Sequence, residues 1–138
     1  MIVADCTLIT QLFLRTEQVR VAEELSRVEW MVPPLWRSEL RNVCRKYIFA
    51  GRTSLSEAQR AMRLAEERFA ESERHVSSDR VLALVAETRC SAYDAEYIVL
   101  ALTLGVPLVT SDVRLQRLFP AFAVSPVTLL GDVPESNG

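Results

Sequence analysis

Four acidic residues stand where a folded chain could gather them. Asp5 directly follows the apolar run Ile2-Val3-Ala4, and Asp112 follows Pro107-Leu108-Val109-Thr110 with Ser111 between. Short apolar runs of this kind read as buried strands, so both carboxylates fall at strand ends. Glu39 lies inside a long helical stretch. Asp94 lies in the first turn of the helix that leads into the Asp112 strand. If the two strands are neighbours, Asp5 and Asp112 enter the same crevice. Carboxylates crowded into a low-dielectric cleft repel one another. A hard divalent cation removes that conflict, and oxygen-only ligands suit Mg²⁺ or Mn²⁺. Such an ion positions a water, lowers its pKa and stabilises charge developing on a phosphodiester. The chemistry implied is hydrolysis of a nucleic-acid backbone.

Each acid also has a purely structural explanation. Ser91-Ala92-Tyr93-Asp94 is a capping box, in which Asp94 would bond the Ser91 N–H. Asp5 and Asp112 are plausible N-caps, and Glu39 could be a solvated helix residue. Joint placement favours the chemical reading, because two of the four acids sit at strand ends.

The elements that must position these acids alternate between strand and helix. Ile2–Ala4 is a strand and Thr7–Leu14 a helix, and a second helix opens at Thr16-Glu17-Gln18 and runs to about Val28. Trp30-Met31-Val32 is a strand stopped by Pro33-Pro34. A long helix spans about Leu35 to Ala50 and ends at Gly51. Ser54 or Ser56 caps the next helix, to about Ala70. His75-Val76 is a short strand, Ser78–Thr88 a helix, and Ser91 opens a helix that runs through Leu104 to a stop at Gly105. The strand 107–110 and a short helix from Asp112 to Leu118 follow. Phe122–Leu130 holds one or two edge strands. One domain over 1–130 and a polar, mobile tail over 131–138 are expected. The alternation predicts an α/β fold with a parallel sheet, whose ligand crevice lies beyond the carboxyl ends of the strands where strand order reverses.

The long helix carries three faces. Trp36, Leu40, Val43, Cys44 and Tyr47 form its core stripe, and Glu39, Asn42 and Lys46 share a second side. Arg37, Arg41 and Arg45 make a third row at i, i+4 spacing. Phosphate contact along Arg37, Arg41, Arg45 and Lys46 is one reading of this helix, and a solvated face is the other.

Composition sets the outer limits. The chain has 138 residues, 49% hydrophobic and 25% charged, with 16 Lys+Arg against 18 Asp+Glu. That excludes a disordered chain and a polybasic nucleic-acid tail. Setting four of the 18 acids aside in a metal-neutralised crevice leaves 14 against 16 bases, which is compatible with a nucleic-acid partner. All the bases but Lys46 are arginines, which reads first as the mark of a GC-rich genome. The longest uncharged run, Tyr97 to Ser111, has fifteen residues, short of the roughly twenty that cross a bilayer. Three cysteines, Cys6, Cys44 and Cys90, form no Cys-x-x-Cys and read as small buried hydrophobes. No signal peptide is apparent, and a cytoplasmic protein is expected.

Four segments in order resemble the PIN-domain family, and more narrowly the VapC-type toxins of bacterial toxin–antitoxin pairs. They are Val3-Ala4-Asp5-Cys6-Thr7, Ser38-Glu39-Leu40-Arg41-Asn42, Ser91-Ala92-Tyr93-Asp94-Ala95-Glu96-Tyr97, and Gly105 to Asp112 closing in Thr-x-Asp. The resemblance runs from Ile2 to about Leu130. It implies a three-layer α/β/α sandwich with a mostly parallel five-stranded sheet. It implies a Mg²⁺-dependent endoribonuclease with Asp5, Glu39, Asp94 and Asp112 as catalytic, metal-holding acids. Thr7, Asn42, Thr110 and Ser111 would orient ligands or substrate. A homodimer and a cognate antitoxin are the implied partners. Some relatives carry a further acid beyond the fourth; Val113-Arg114 stands there in this chain, which leaves four.

Rival chemistries fit less well. A response-regulator receiver needs a lysine after a late strand, and Lys46 sits in a helix. A haloacid-dehalogenase phosphatase needs Asp-x-Asp after its first strand, where this chain has Thr7. Nothing marks His75, the sole histidine, as a catalytic base. Two readings remain beside the toxin. One is a housekeeping nuclease on other nucleic acid. The other is a catalytically idle module in which Trp30, Trp36, Tyr47 and Phe49 line a groove for a partner helix rather than the core.

Overall fold

A computed structural model of the chain describes residues 1–132. Its strands are β1 (Ile2–Ala4), β2 (Trp30–Met31), β3 (Leu108–Val109) and β4 (Ala123–Val124). They form one parallel sheet in the order β2-β1-β3-β4. The helices are α1 (Cys6–Phe13), α2 (Val19–Leu25), α3 (Trp36–Phe49), α4 (Leu55–Arg68), α5 (Ser78–Thr88), α6 (Ala92–Leu104), α7 (Val113–Leu118) and α8 (Pro126–Asp132). From β1 the chain goes to β2 on one side and later to β3 on the other. The strand order therefore reverses at β1, and the crevice between the ends of β1 and β3 is the switch point.

The strands are apolar on both sides because both faces are covered. Successive side chains point to opposite faces. Ile2, Ala4, Trp30 and Val109 thus enter one core with Leu8, Ile9, Trp36, Leu40 and Phe69. Val3, Met31 and Leu108 enter a second core with Val81, Tyr97, Ile98 and Leu115. The first core lies under α1 to α4 and α8, the second under α5 to α7, which is the expected three-layer α/β/α arrangement. Trp30 and Trp36 are fully buried and pack around Phe69, with ring centroids 6.5 and 5.0 Å away. They are core residues and line no groove.

Local signals account for the helix ends. Ser54, not Ser56, caps α4 by accepting from the Glu57 N–H at 3.1 Å. Gly105 ends α6 at φ +67°, in the left-handed region that only glycine enters without strain. No helix of the described residues is long and apolar enough to cross a membrane.

The structure departs from the expectations in four places. The described residues hold four strands, not five, and His75-Val76 is not a strand. Only Glu73 makes a parallel bridge to Val32, through Val32 N–H to Ser72 O and Arg74 N–H to Val32 O. Pro33 and Pro34 follow at once with no N–H to continue the ladder. The predicted edge strands over Phe122–Leu130 reduce to β4, followed by α8. Ser125 caps that helix, accepting from the Thr128 N–H at 3.0 Å, and Pro126 holds its first position. The tail expected from Gly131 begins within α8, and residues 133–138 lie outside the described residues.

Candidate active site

Asp5 and Thr110 leave β1 and β3 side by side, because Ala4 pairs with Val109 and the Asp5 N–H bonds the Val109 carbonyl. Asp5 is buried at 6% exposure. Its Oδ1 accepts from the backbone of Thr7 at 3.0 Å and Leu8 at 3.3 Å, and from the Thr7 hydroxyl. The same Thr7 hydroxyl accepts from the Ser111 N–H at 2.9 Å, so one side chain ties the end of β1 to the end of β3. Gln11 donates to the Ser111 hydroxyl at 2.8 Å, and Gln116 to the Thr110 carbonyl at 2.9 Å. Asp112 receives no such burial. It caps α7, accepting from the Arg114 N–H at 2.9 Å, while its own N–H bonds the Thr110 hydroxyl at 3.0 Å.

Burial pushes the Asp5 carboxyl up to about 6, against hydrogen bonds from Thr110, Thr7 and Leu8 that pull it down. Glu39, on α3, is raised too. Burial is the main cause, the Tyr97 hydroxyl opposes it, and the charges of Asp5, Asp94 and Glu96 add to it. Tyr97 donates to Glu39 Oε1 at 2.6 Å from α6. Repulsion among these carboxylates is the electrostatic condition that a cation relieves. Asp94 makes only half of the predicted capping box. Its N–H donates to Ser91 Oγ at 3.0 Å, but its carboxylate takes Arg114 as an ion-pair partner at 2.8 Å.

The four acids are therefore gathered at one end of the sheet but are not closed around a point. No three of His, Cys, Asp or Glu among the described residues stand together in a metal-holding cluster. Glu39 is held by Tyr97, and Asp94 and Asp112 face Arg114. The donor set of carboxylates and hydroxyls nevertheless fits a hard divalent cation, and the raised Asp5 and Glu39 are the groups such an ion would hold in the charged form.

Of the other predicted residues, Thr7, Thr110 and Ser111 build the network itself. Asn42 and Lys46 border a cleft of about 510 Å³ that also meets Thr7, Gln11, Glu39 and Tyr47. The arginine row turns away from it. Arg37 pairs with Glu73 at 2.7 Å and lies over the Trp36 ring. Arg41 and Arg45 border a separate apolar cleft of about 580 Å³ between α3 and α4, with Ile48, Phe49 and Met62. Arg45 stacks on Phe49, which is 78% exposed. The residues that sequence reasoning missed are Gln11, Gln116, Tyr97, Glu96 and Arg114. Only Tyr97 had a local signal, at three residues past Asp94 on the same helix.

None of the curated proteins matches the sequence. The fold resembles PAE2754 from Pyrobaculum aerophilum, with a TM-score of 0.71 and 22% identity, over 95% of this chain and 94% of that one. It also resembles a toxin–antitoxin complex from Klebsiella pneumoniae, with a TM-score of 0.67 and 20% identity, over 91% and 98%. Residues 2–119 match the PIN domain family. That span includes both strands of the switch point and all four acids, and the chain belongs to the PIN domain family.

Proposed function

We propose that this protein is a divalent-metal-dependent endoribonuclease, with Mg²⁺ or Mn²⁺ as the ion, and that it serves as the toxin of a cytoplasmic toxin–antitoxin pair. The observation that carries the reading is Asp5: a carboxylate buried at the switch point, pushed up to about 6 by that burial, with its charge felt by Glu39. Asp5, Glu39, Asp94 and Asp112 would hold the ion, and the ion supplies a water of lowered pKa and charge stabilisation on the phosphodiester. Thr7, Thr110 and Ser111 fix the two strand ends so that the carboxylates keep their spacing. Asn42 and Lys46 line the same cleft as Glu39, and in this reading they would meet the RNA backbone.

Two observations support a protein partner. A toxin–antitoxin complex shares the fold. The apolar cleft between α3 and α4 exposes Phe49 and Leu55 at 78% and 62%, apolar surface that a partner helix would cover. We read this cleft as the seat of the antitoxin, and the toxin itself as a homodimer.

The test is RNA cleavage by the purified chain in Mg²⁺ or Mn²⁺. Cleavage abolished by EDTA, by Asp5→Ala and by Asp94→Ala is expected. Undiminished cleavage by either variant sinks the site assignment. Expression in bacteria is expected to arrest growth, with relief by a co-expressed neighbouring reading frame. Cleavage without growth arrest would favour a housekeeping nuclease.

A further inference from the structure

Among the described residues, Arg114 is the one cation in direct contact with the acids of the crevice. It lies on the first turn of α7, two residues after Asp112. Its Nη2 stands 2.8 Å from Asp94 Oδ2 and 3.5 Å from Asp112 Oδ2. Its backbone N–H holds the other oxygen of Asp112 at 2.9 Å. One nitrogen thus bridges carboxylates from α6 and from the end of β3. Bridging two carboxylates is what an ion does in a two-ion nuclease site.

We propose that Arg114 stands in for a second cation, so that this chain binds a single divalent ion. The inference rests on the metal-nuclease reading above. Charge supports it: Asp5, Glu39, Asp94 and Asp112 carry four negative charges when ionised. One divalent ion and Arg114 neutralise three of them, and a second ion would overshoot. Geometry supports it as well. Arg114 occupies oxygens of Asp94 and Asp112 that a second ion would need, and the acceptor capacity left on the four acids would hold the one ion. A guanidinium stays charged at every working pH. The Arg114 side chain is 63% exposed, which leaves its remaining donors open to solvent.

The test counts ions. The full-length chain is titrated with Mn²⁺, with bound manganese followed by electron paramagnetic resonance and folding checked by circular dichroism. Wild type is expected to bind one ion per chain, and Arg114→Lys also one. Arg114→Asp is expected to bind two, and Arg114→Ala to gain a second, weaker site. Two ions on wild type overturn the inference and leave the metal-nuclease reading standing. So does a single ion on both folded Arg114→Asp and Arg114→Ala. No ion on any of the chains overturns both.

Discussion

The two sides of α3 show how differently a sequence commits its charged residues. On one side Glu39 faces the strand ends, where Asp5, Thr7, Thr110 and Ser111 form a network that crosses from β1 to β3. Asp5 and Thr110 are buried, so the bonds that reach them are costly to lose. On the other side Arg37, Arg41 and Arg45 lie along α4 and the apolar cleft, meeting Glu73, Glu66 and the Phe49 ring. Those contacts are half-exposed, and exposed ion pairs contribute little. A charged residue at a strand end is fixed by topology. A charged residue on an outer helix face is fixed only by whatever helix packs beside it.

The sharpest break of this comparison is Asp5→Asn. It keeps an acceptor for Thr7 and Leu8 but removes the charge. RNA cleavage is expected to fall on the order of 10³-fold, measured under single-turnover conditions. Stability should move the opposite way. Asp5 titrates at about 6 in the fold, above its ordinary 3.8. The folded state therefore binds this proton more readily than the unfolded chain, and the charged form costs stability. That cost is absent below about pH 4, grows as pH rises and is complete above about pH 6, reaching about 3 kcal/mol. In EDTA, Asp5→Asn should gain over wild type at pH 7 and gain nothing at pH 4, read from urea unfolding at both values. An equal gain at both values would place the destabilisation elsewhere.

Thr7→Val comes next. It removes the hydroxyl shared by Asp5 and the Ser111 N–H. Loss of that bridge should cost about 1–3 kcal/mol of stability, checked by chemical denaturation. Lys46→Ala has a smaller effect, read as RNA affinity on the Asp5→Asn background. Losing one phosphate contact should lower the slope of log affinity against log salt by about 0.7. Arg45→Ala should leave that slope unchanged, since Arg45 faces Phe49 and not the crevice. Arg37→Ala, last, should cost under about 1 kcal/mol. A drop in salt slope for Arg45→Ala equal to that for Lys46→Ala would erase the contrast between the two sides of α3.

The switch point was legible because two unmistakable strands each end in an acid, and parallel α/β topology leaves few places for such ends to go. Glycine and serine at helix ends marked α4 and α6 for the same local reasons that operate in the fold. The direction of the arginine row was not legible. Periodicity separates the buried stripe of α3 from the rest, but it does not say that α4 packs beside Arg41 and Arg45. Arg114 was equally hidden, because its partner Asp94 is twenty residues away in sequence and meets it only when α6 and α7 converge. The edge at Phe122–Leu130 was misread although Ser125-Pro126 is a helix start. The apolar residues on either side of Ser125-Pro126 fit a strand or a buried helix equally well.

The central claim is that the acids at the ends of β1 and β3 act through a divalent ion on RNA. Cleavage of a mixed RNA substrate by wild type and Asp5→Asn, each in Mn²⁺ and in EDTA, tests it most directly. The account predicts cleavage by wild type in Mn²⁺, cleavage on the order of 10³-fold slower by Asp5→Asn in Mn²⁺, and none by either protein in EDTA. Cleavage that persists in EDTA, or in the Asp5→Asn protein at the wild-type rate, contradicts it.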